Sequence, residues 1–282
     1  MSARRLIVSA DDLALTKGHN RAIVQAHDEG ILTSASLLAC GAAFDDAVAR
    51  ARDRPALGIG VHLTLLEGTP VRPPAAVPDL VVSRTEGAFG TGYGRLLWGV
   101  TIGQVALTQV SDEWRAQVER VLDSGLRVTH VDSHKHVHMH PQLLGIALAL
   151  AREAGIPRMR LSRPPRLVAG YRSTVLGLLA IWARRRMAGH GIRCPRTLLG
   201  LESSGQMTVQ RMLEAIRAPW QGTGELMTHP AFPGPELARL AARGYRWVQT
   251  YRFRDELAAL CAPAIRAALQ EGAVELVSYE RL

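Results

Sequence analysis

The run Arg5-Leu6-Ile7-Val8-Ser9-Ala10 leads straight into the pair Asp11-Asp12. A short, mostly apolar run of this kind is expected of a strand buried on both faces, where neither face has to meet water. The two acids then fall at its C-terminal end. Lys17-Gly18-His19-Asn20 precedes a helical pattern through Ala22, Ile23, Ala26 and His27, which Gly30 closes. Residues 31–39 read as a second strand, 45–52 as a helix halted by Pro55, and 57–65 as a third strand carrying His62. This βαβαβ rhythm predicts a parallel α/β sheet with right-handed crossovers, either doubly wound or closed into a barrel.

The next informative stretch is Thr129-His130-Val131-Asp132-Ser133-His134-Lys135-His136-Val137-His138-Met139-His140-Pro141, which holds five of the chain's ten histidines. If its first half is extended, His130, Asp132 and His134 share one face, while Val131 and Ser133 turn away. Imidazoles and a carboxylate on one surface suit zinc, manganese, cobalt or iron better than an all-oxygen ion. A helix opened by Ser111-Asp112-Glu113 and ending near Gly125 feeds this strand, and residues 141–154 form the helix after it.

Between the third strand and that helix, residues 70–99 break the rhythm with Pro70, Pro73, Pro74 and Pro78, then Gly87, Gly90, Gly92 and Gly94. They read as a lid-like insertion over the site. Residues 159–162 suggest a short strand, 207–218 a helix, and 225–230 a late strand ending in His229. Trp247-Val248 and residues 274–277 read as final strands, with helices over 235–244 and 254–272. Residues 165–224 form a helical excursion. Within it the apolar run 175–183 meets Arg184-Arg185-Arg186, a pattern fitting either a core-facing helix with a cationic last turn or a helix lying on an anionic bilayer. No repeat or linker divides the chain, so one domain over residues 1–282 is expected.

Composition narrows the class. With 47% hydrophobic and 21% charged residues the chain can bury a core. No apolar segment reaches the ~20 residues of a membrane span, and Asp11-Asp12 interrupts any signal-peptide core. Cys40, Cys194 and Cys261 form no CxxC pair. A cytoplasmic protein is expected from this, with room for peripheral membrane contact. The net charge of +9 is carried almost wholly by arginine without interleaved aromatics or a groove-reading motif, so no nucleic-acid partner is expected.

Asp11-Asp12, His62, His134 and His229 all fall at or near C-terminal strand ends, the rim where α/β folds bind ligands. One aspartate and two histidines leave coordination positions open on a metal, as catalytic sites do. Such an ion polarises a carbonyl and acidifies a bound water, which points to hydrolysis. A second carboxylate can serve as base and an opposite histidine as acid. Two imidazoles and a carboxylate also form the facial triad of iron oxygenases, and a non-catalytic sugar or lipid binder would keep the same fold.

Four motifs in order, Ser9-Ala10-Asp11-Asp12-Leu13, Gly60-Val61-His62-Leu63 with Gly68-Thr69-Pro70, His130 to His138, and Met227-Thr228-His229-Pro230, resemble the YdjC-type carbohydrate deacetylases. The resemblance implies an irregular TIM-like β/α barrel that hydrolyses the N-acetyl group of an amino sugar. Carried over by position, Asp12, His62 and His134 would hold one divalent ion, with Asp11 as base and His229 as acid. The donors favour zinc or another transition ion, and the resemblance leaves magnesium open. Val77-Pro78-Asp79-Leu80, the helical region after Pro165 and residues 200–207 are most similar to the hopanoid-associated HpnK branch. That implies an N-acetylglucosaminyl hopanoid, a glycolipid, as substrate, with a soluble amino-sugar glycoside as the alternative. The family commonly has Asp-Asp-Phe-Gly where this chain has Asp11-Asp12-Leu13-Ala14.

Overall fold

The computed structural model describes residues 4–82, 87–164 and 171–282. Among these residues seven strands form one curled parallel sheet: β1 (Arg4–Leu13), β2 (Ser34–Leu37), β3 (Gly58–Leu63), β4 (Val128–Ser133), β5 (Thr197–Leu199), β6 (Thr223–Thr228) and β7 (Val274–Leu276). Their order is β4-β3-β2-β1-β6-β5. The N-terminal part of β1 pairs with β7, and its C-terminal part pairs with β2.

Closure of the ring is irregular. Val131 in β4 bridges to Met159, Met159 N–H donates to Arg193, and Leu198 N–H in β5 donates to the carbonyl of Arg163. Residues 157–163 therefore span the gap between the two edge strands with isolated hydrogen bonds, where the sequence suggests a short strand over 159–162. The result is an α/β fold of TIM-like, irregular barrel character.

Ten helices lie among the described residues: α1 (Lys17–Asp28), α2 (Phe44–Arg52), α3 (Tyr93–Thr101), α4 (Leu107–Asp123), α5 (Pro141–Glu153), α6 (Tyr171–Gly189), α7 (Val209–Arg217), α8 (Pro235–Ala242), α9 (Phe253–Cys261) and α10 (Pro263–Glu271). Several boundaries differ from the sequence reading. Pro263 has no N–H to continue a helix and instead sits at the first position of a new one, so the helix expected over 254–272 is two. Trp247-Val248 lies in the 3-10 turn Arg246–Gln249, not a strand. The stretch expected as loop over 70–99 contains the 3-10 turn Pro74–Ala76, an antiparallel bridge between Val81 and Phe89, and the start of α3. β5 lies inside the excursion expected to be helical, between α6 and α7.

Helix-facing positions of the strands, such as Leu6, Val8, Ala35, Ile59, Val61 and Val131, join the main apolar core. The opposite positions line the barrel. Pairing puts Ser36 beside Gly60, Gly60 beside His130, and His62 beside Asp132, so the alternation in these strands faces polar residues inward. Low in the barrel, Ile7, Val277 and Tyr279 form a separate apolar cluster. The Tyr279 ring stacks on His130, with centroids 3.7 Å apart and planes 6° from parallel. Gly60 is required by this arrangement, because a Cβ there would lie 2.3 Å from His130 Nε2.

Candidate metal centre

Consecutive strand residues normally face opposite ways, yet Asp11 and Asp12 both reach the barrel mouth. The β1–β2 register shifts between Ala10 and Leu13, and Asp12 takes φ 63°, a left-handed conformation that costs a non-glycine residue energy. Ala14 follows at φ 81°, its N–H bonded to Asn20 Oδ1 at 2.7 Å. Glycine would take this conformation without the penalty a Cβ brings.

Asp12, His62 and His134, all buried, bring one ligand atom each to within 4.8 Å of one another. His62 Nδ1 lies 2.8 Å from Asp132 Oδ1, and that carboxylate fixes the tautomer that leaves Nε2 free. Nε2 faces Asp12 Oδ1 at 3.7 Å. His134 Nδ1 lies 3.1 Å from the same oxygen, outside hydrogen-bonding alignment. Asp12 Oδ1 and His62 Nε2 are thus buried without hydrogen-bond partners, an arrangement that is costly unless something joins them. A divalent ion fits this gap: the donor set is two imidazole nitrogens and a carboxylate oxygen. A second grouping, Asp11, His62 and Asp132, fits less well because Arg160 already holds both carboxylates.

The electrostatics favour positive charge here. Burial alone would raise the Asp12 carboxyl, but His134 and His62 beside it hold it well below the usual range. Burial would lower His134, yet Asp12 and Glu67 push it up to about 9. His62 is likewise raised against its burial by Asp132. His134 Nε2 lies 2.9 Å from Glu67 Oε2, and Glu67 also accepts from Trp247 Nε1 at 2.8 Å and from Lys135 Nζ.

Beneath the centre, Arg160 is fully buried. Its two terminal nitrogens each donate to one oxygen of Asp11 at 2.7 Å, and it also reaches Asp132, Glu225 and Ser9. Tyr279 OH donates to Glu225 Oε2 at 2.6 Å, and burial raises that carboxyl. Across the mouth, His229 Nε2 is 4.0 Å from Asp11 Oδ2. Glu256 accepts the backbone N–H of His229 and that of Met207, fixing the main chain and leaving the His229 ring against Tyr251, centroids 5.1 Å apart.

All five expected site residues therefore meet at the barrel mouth. His130 does not join them. It shares the inner face with Asp132 as expected but lies deeper, stacked on Tyr279, and burial lowers it to about 3. His138 is bonded to Ser133 and to the Arg160 carbonyl. Sequence reasoning passed over Arg160, Glu225, Glu67 and Glu256. Arg160 left a trace, as the polar member of the alternation Met159-Arg160-Leu161-Ser162, but only the inward-facing polar pattern of the neighbouring strands gives it meaning.

A family model described as YdjC-like protein matches residues 5–271. A carbohydrate deacetylase of Brevibacillus brevis is 34% identical over 278 residues, covering 99% of each chain. A chitooligosaccharide deacetylase of Serratia marcescens is 30% identical, covering 98% of each. A crystal structure from Enterococcus faecalis V583, named for cellobiose-phosphate cleavage, superposes with TM-score 0.75 at 28% identity over 99% of both chains.

Proposed function

The chain belongs to the YdjC-like family, and from that premise we propose that it is a metal-dependent deacetylase removing the N-acetyl group from an amino sugar. The observation that carries this reading is the pair of unsatisfied buried atoms, Asp12 Oδ1 and His62 Nε2, facing each other with His134 alongside. A divalent ion held by Asp12, His62 and His134 would supply a Lewis acid and a water acidified toward pKa ~7. The remaining work falls to the chain. Asp11, oriented through both oxygens by Arg160, takes the proton of the attacking water. His229, on the other side of Asp11, gives a proton to the amide nitrogen as it leaves. Trp247 and Tyr251, centroids 4.9 Å apart, offer aromatic faces beside His134 and His229 for a sugar ring.

Within that class we favour a glycolipid such as an N-acetylglucosaminyl hopanoid over a soluble chitooligosaccharide. The support is a cavity of about 840 Å³ bordered by Leu65, Leu66 and Gly68, the sequence neighbours of Glu67; Leu80, Phe89, Leu96 and Tyr245 give it an apolar side that would take a bulky aglycone, and Asp79, Arg95, Gln104 and Arg243 give it a polar one. In this reading residues 70–99, whose Leu80 and Phe89 line that cavity, act as a lid. For a chain read as cytoplasmic, such a substrate calls for work at the inner face of the membrane.

The test is acetate release from N-acetylglucosaminyl glycosides and glycolipids by metal-loaded protein, without added reductant, which separates this chemistry from an iron oxygenase. His134→Ala should lose both metal and turnover. His229→Ala should keep the metal and lose on the order of 10²–10⁴-fold in turnover. The opposite pattern, metal lost in His229→Ala and kept in His134→Ala, refutes the assignment.

A further inference from the structure

The net charge of +9 is not spread evenly over this molecule. A groove of about 760 Å³ is lined by Arg5, Arg184, Arg193 and Arg196, with no aspartate or glutamate in its wall. Among the described residues none of these four arginines ion-pairs with a carboxylate side chain. The groove lies at the foot of the barrel, where β1, β5 and β6 begin, opposite the catalytic mouth. Arg184 comes from α6, a helix that packs on α5 and on the His134–Met139 turn after β4. At 19 residues, or about 28 Å, α6 is long enough to run from the catalytic end to the foot. Its outer side exposes Leu178, Ile181 and Trp182 at 63%, 42% and 37%. Arg184, Arg185 and Arg186 follow, all exposed, with the Arg186 guanidinium 6.0 Å from the Trp182 ring centroid.

We propose that the outer face of α6 and the adjoining arginine groove dock the protein, flank-on, against an anionic phospholipid bilayer. Both halves of the surface point to this occupant. Guanidiniums without a carboxylate side-chain partner complement a layer of phosphates and match their geometry, while Trp182, Ile181 and Leu178 supply the apolar contact that seats an amphipathic helix among headgroups. Docking along α6 would leave the catalytic mouth beside the lipid surface. The inference does not depend on which acyl sugar is hydrolysed.

The test is co-sedimentation with vesicles of phosphatidylcholine alone and of phosphatidylcholine mixed with phosphatidylglycerol, together with tryptophan emission. Binding should require the anionic lipid, weaken at high salt and shift the emission to the blue. The triple variant Arg184→Gln/Arg185→Gln/Arg186→Gln should bind on the order of a hundredfold more weakly at low salt. Ile181→Ser/Trp182→Ser should lose the emission shift. Both variants should release acetate from a soluble sugar as the parent does, which separates failure of docking from failure of the catalytic reading. Equal binding to neutral vesicles, no binding to either, or unchanged binding by the triple variant overturns the proposal. So does a dimer in light scattering that Ile181→Ser/Trp182→Ser breaks, which would assign the face to a second copy. Capture of inorganic phosphate without vesicle binding would assign the groove to a soluble anion and also overturn it.

Discussion

Replacing Arg160 with methionine should destabilise the protein severely, in a way that depends on pH. Arg160 is fully buried and the shared partner of Asp11, Asp132 and Glu225. In its absence Asp132 keeps His62 and Ser36, Glu225 keeps Tyr279, and Asp11 keeps only the distant His229. Breaking a buried ion pair from one side costs about 3–5 kcal/mol because a charge is left uncompensated. Taking ~4 kcal/mol and about 2–3 °C per kcal/mol for a chain of this size gives a melting temperature lower by roughly 8–12 °C. The orphaned carboxyls would bind protons in the folded variant that the unfolded chain releases, so the variant gains relative stability as pH falls. The deficit should be largest near pH 8 and smaller near pH 5. Arg160→Lys, which restores one charge but not the fork reaching both Asp11 oxygens, should fall between. Thermal unfolding followed by circular dichroism at the two pH values measures this. A loss below about 3 °C, or a deficit that grows on acidification, would refute the account of Arg160 as the shared counter-ion.

Other outcomes follow from the same geometry. Metal affinity should rise roughly tenfold per pH unit between 7 and 9, with about one proton released, because His134 must shed a proton held up to about 9 before its nitrogen can ligate; calorimetry in buffers of different ionisation enthalpy reads this. His19, His130 and His138 are buried, and burial lowers them to about 4, 3 and 4. Below about pH 6.5 the unfolded chain takes up protons that these folded imidazoles refuse, so stability falls with pH, at roughly 1.4 kcal/mol per unit for each. By pH 5 the three together cost about 6 kcal/mol. The metal-free chain adds the opposite trend at His134, whose contribution is lost as pH rises through about 9. Urea midpoints should therefore drop steeply from pH 7 to 5, and a flat profile would contradict the burial of these rings. Ala14→Gly should raise stability by up to about 1 kcal/mol, since Ala14 holds φ 81° against its Cβ; an unchanged or lower urea midpoint counts against strain there.

Much of the site was legible because its residues sit at strand ends, and strand ends are marked by changes in composition. Asp11-Asp12 stops an apolar run, His62 sits near the end of another, and His229 precedes Pro230. What stayed hidden depends on which face of a strand looks inward. Ser9, Ser36, Arg160 and Glu225 look like the solvent side of ordinary amphipathic strands. In this barrel the helices cover the outside, so that polar side points at the site. The same inversion sends His130 into the barrel but too deep to join the metal donors. The conformation of Asp12 was not readable either, because it arises from a register shift between β1 and β2 and not from any residue preference. Trp247, read as a strand residue, reaches Glu67 across 180 positions of sequence.

Tyr279 lets one ring serve two buried polar groups that are far apart in sequence. It caps His130, 149 positions earlier, and its hydroxyl satisfies Glu225, 54 positions earlier. Glu225 in turn accepts from Arg160, which grips both oxygens of Asp11. The plug at the foot of the barrel is thus wired through a single guanidinium to the carboxylate at its mouth, and loosening the one end would be felt at the other.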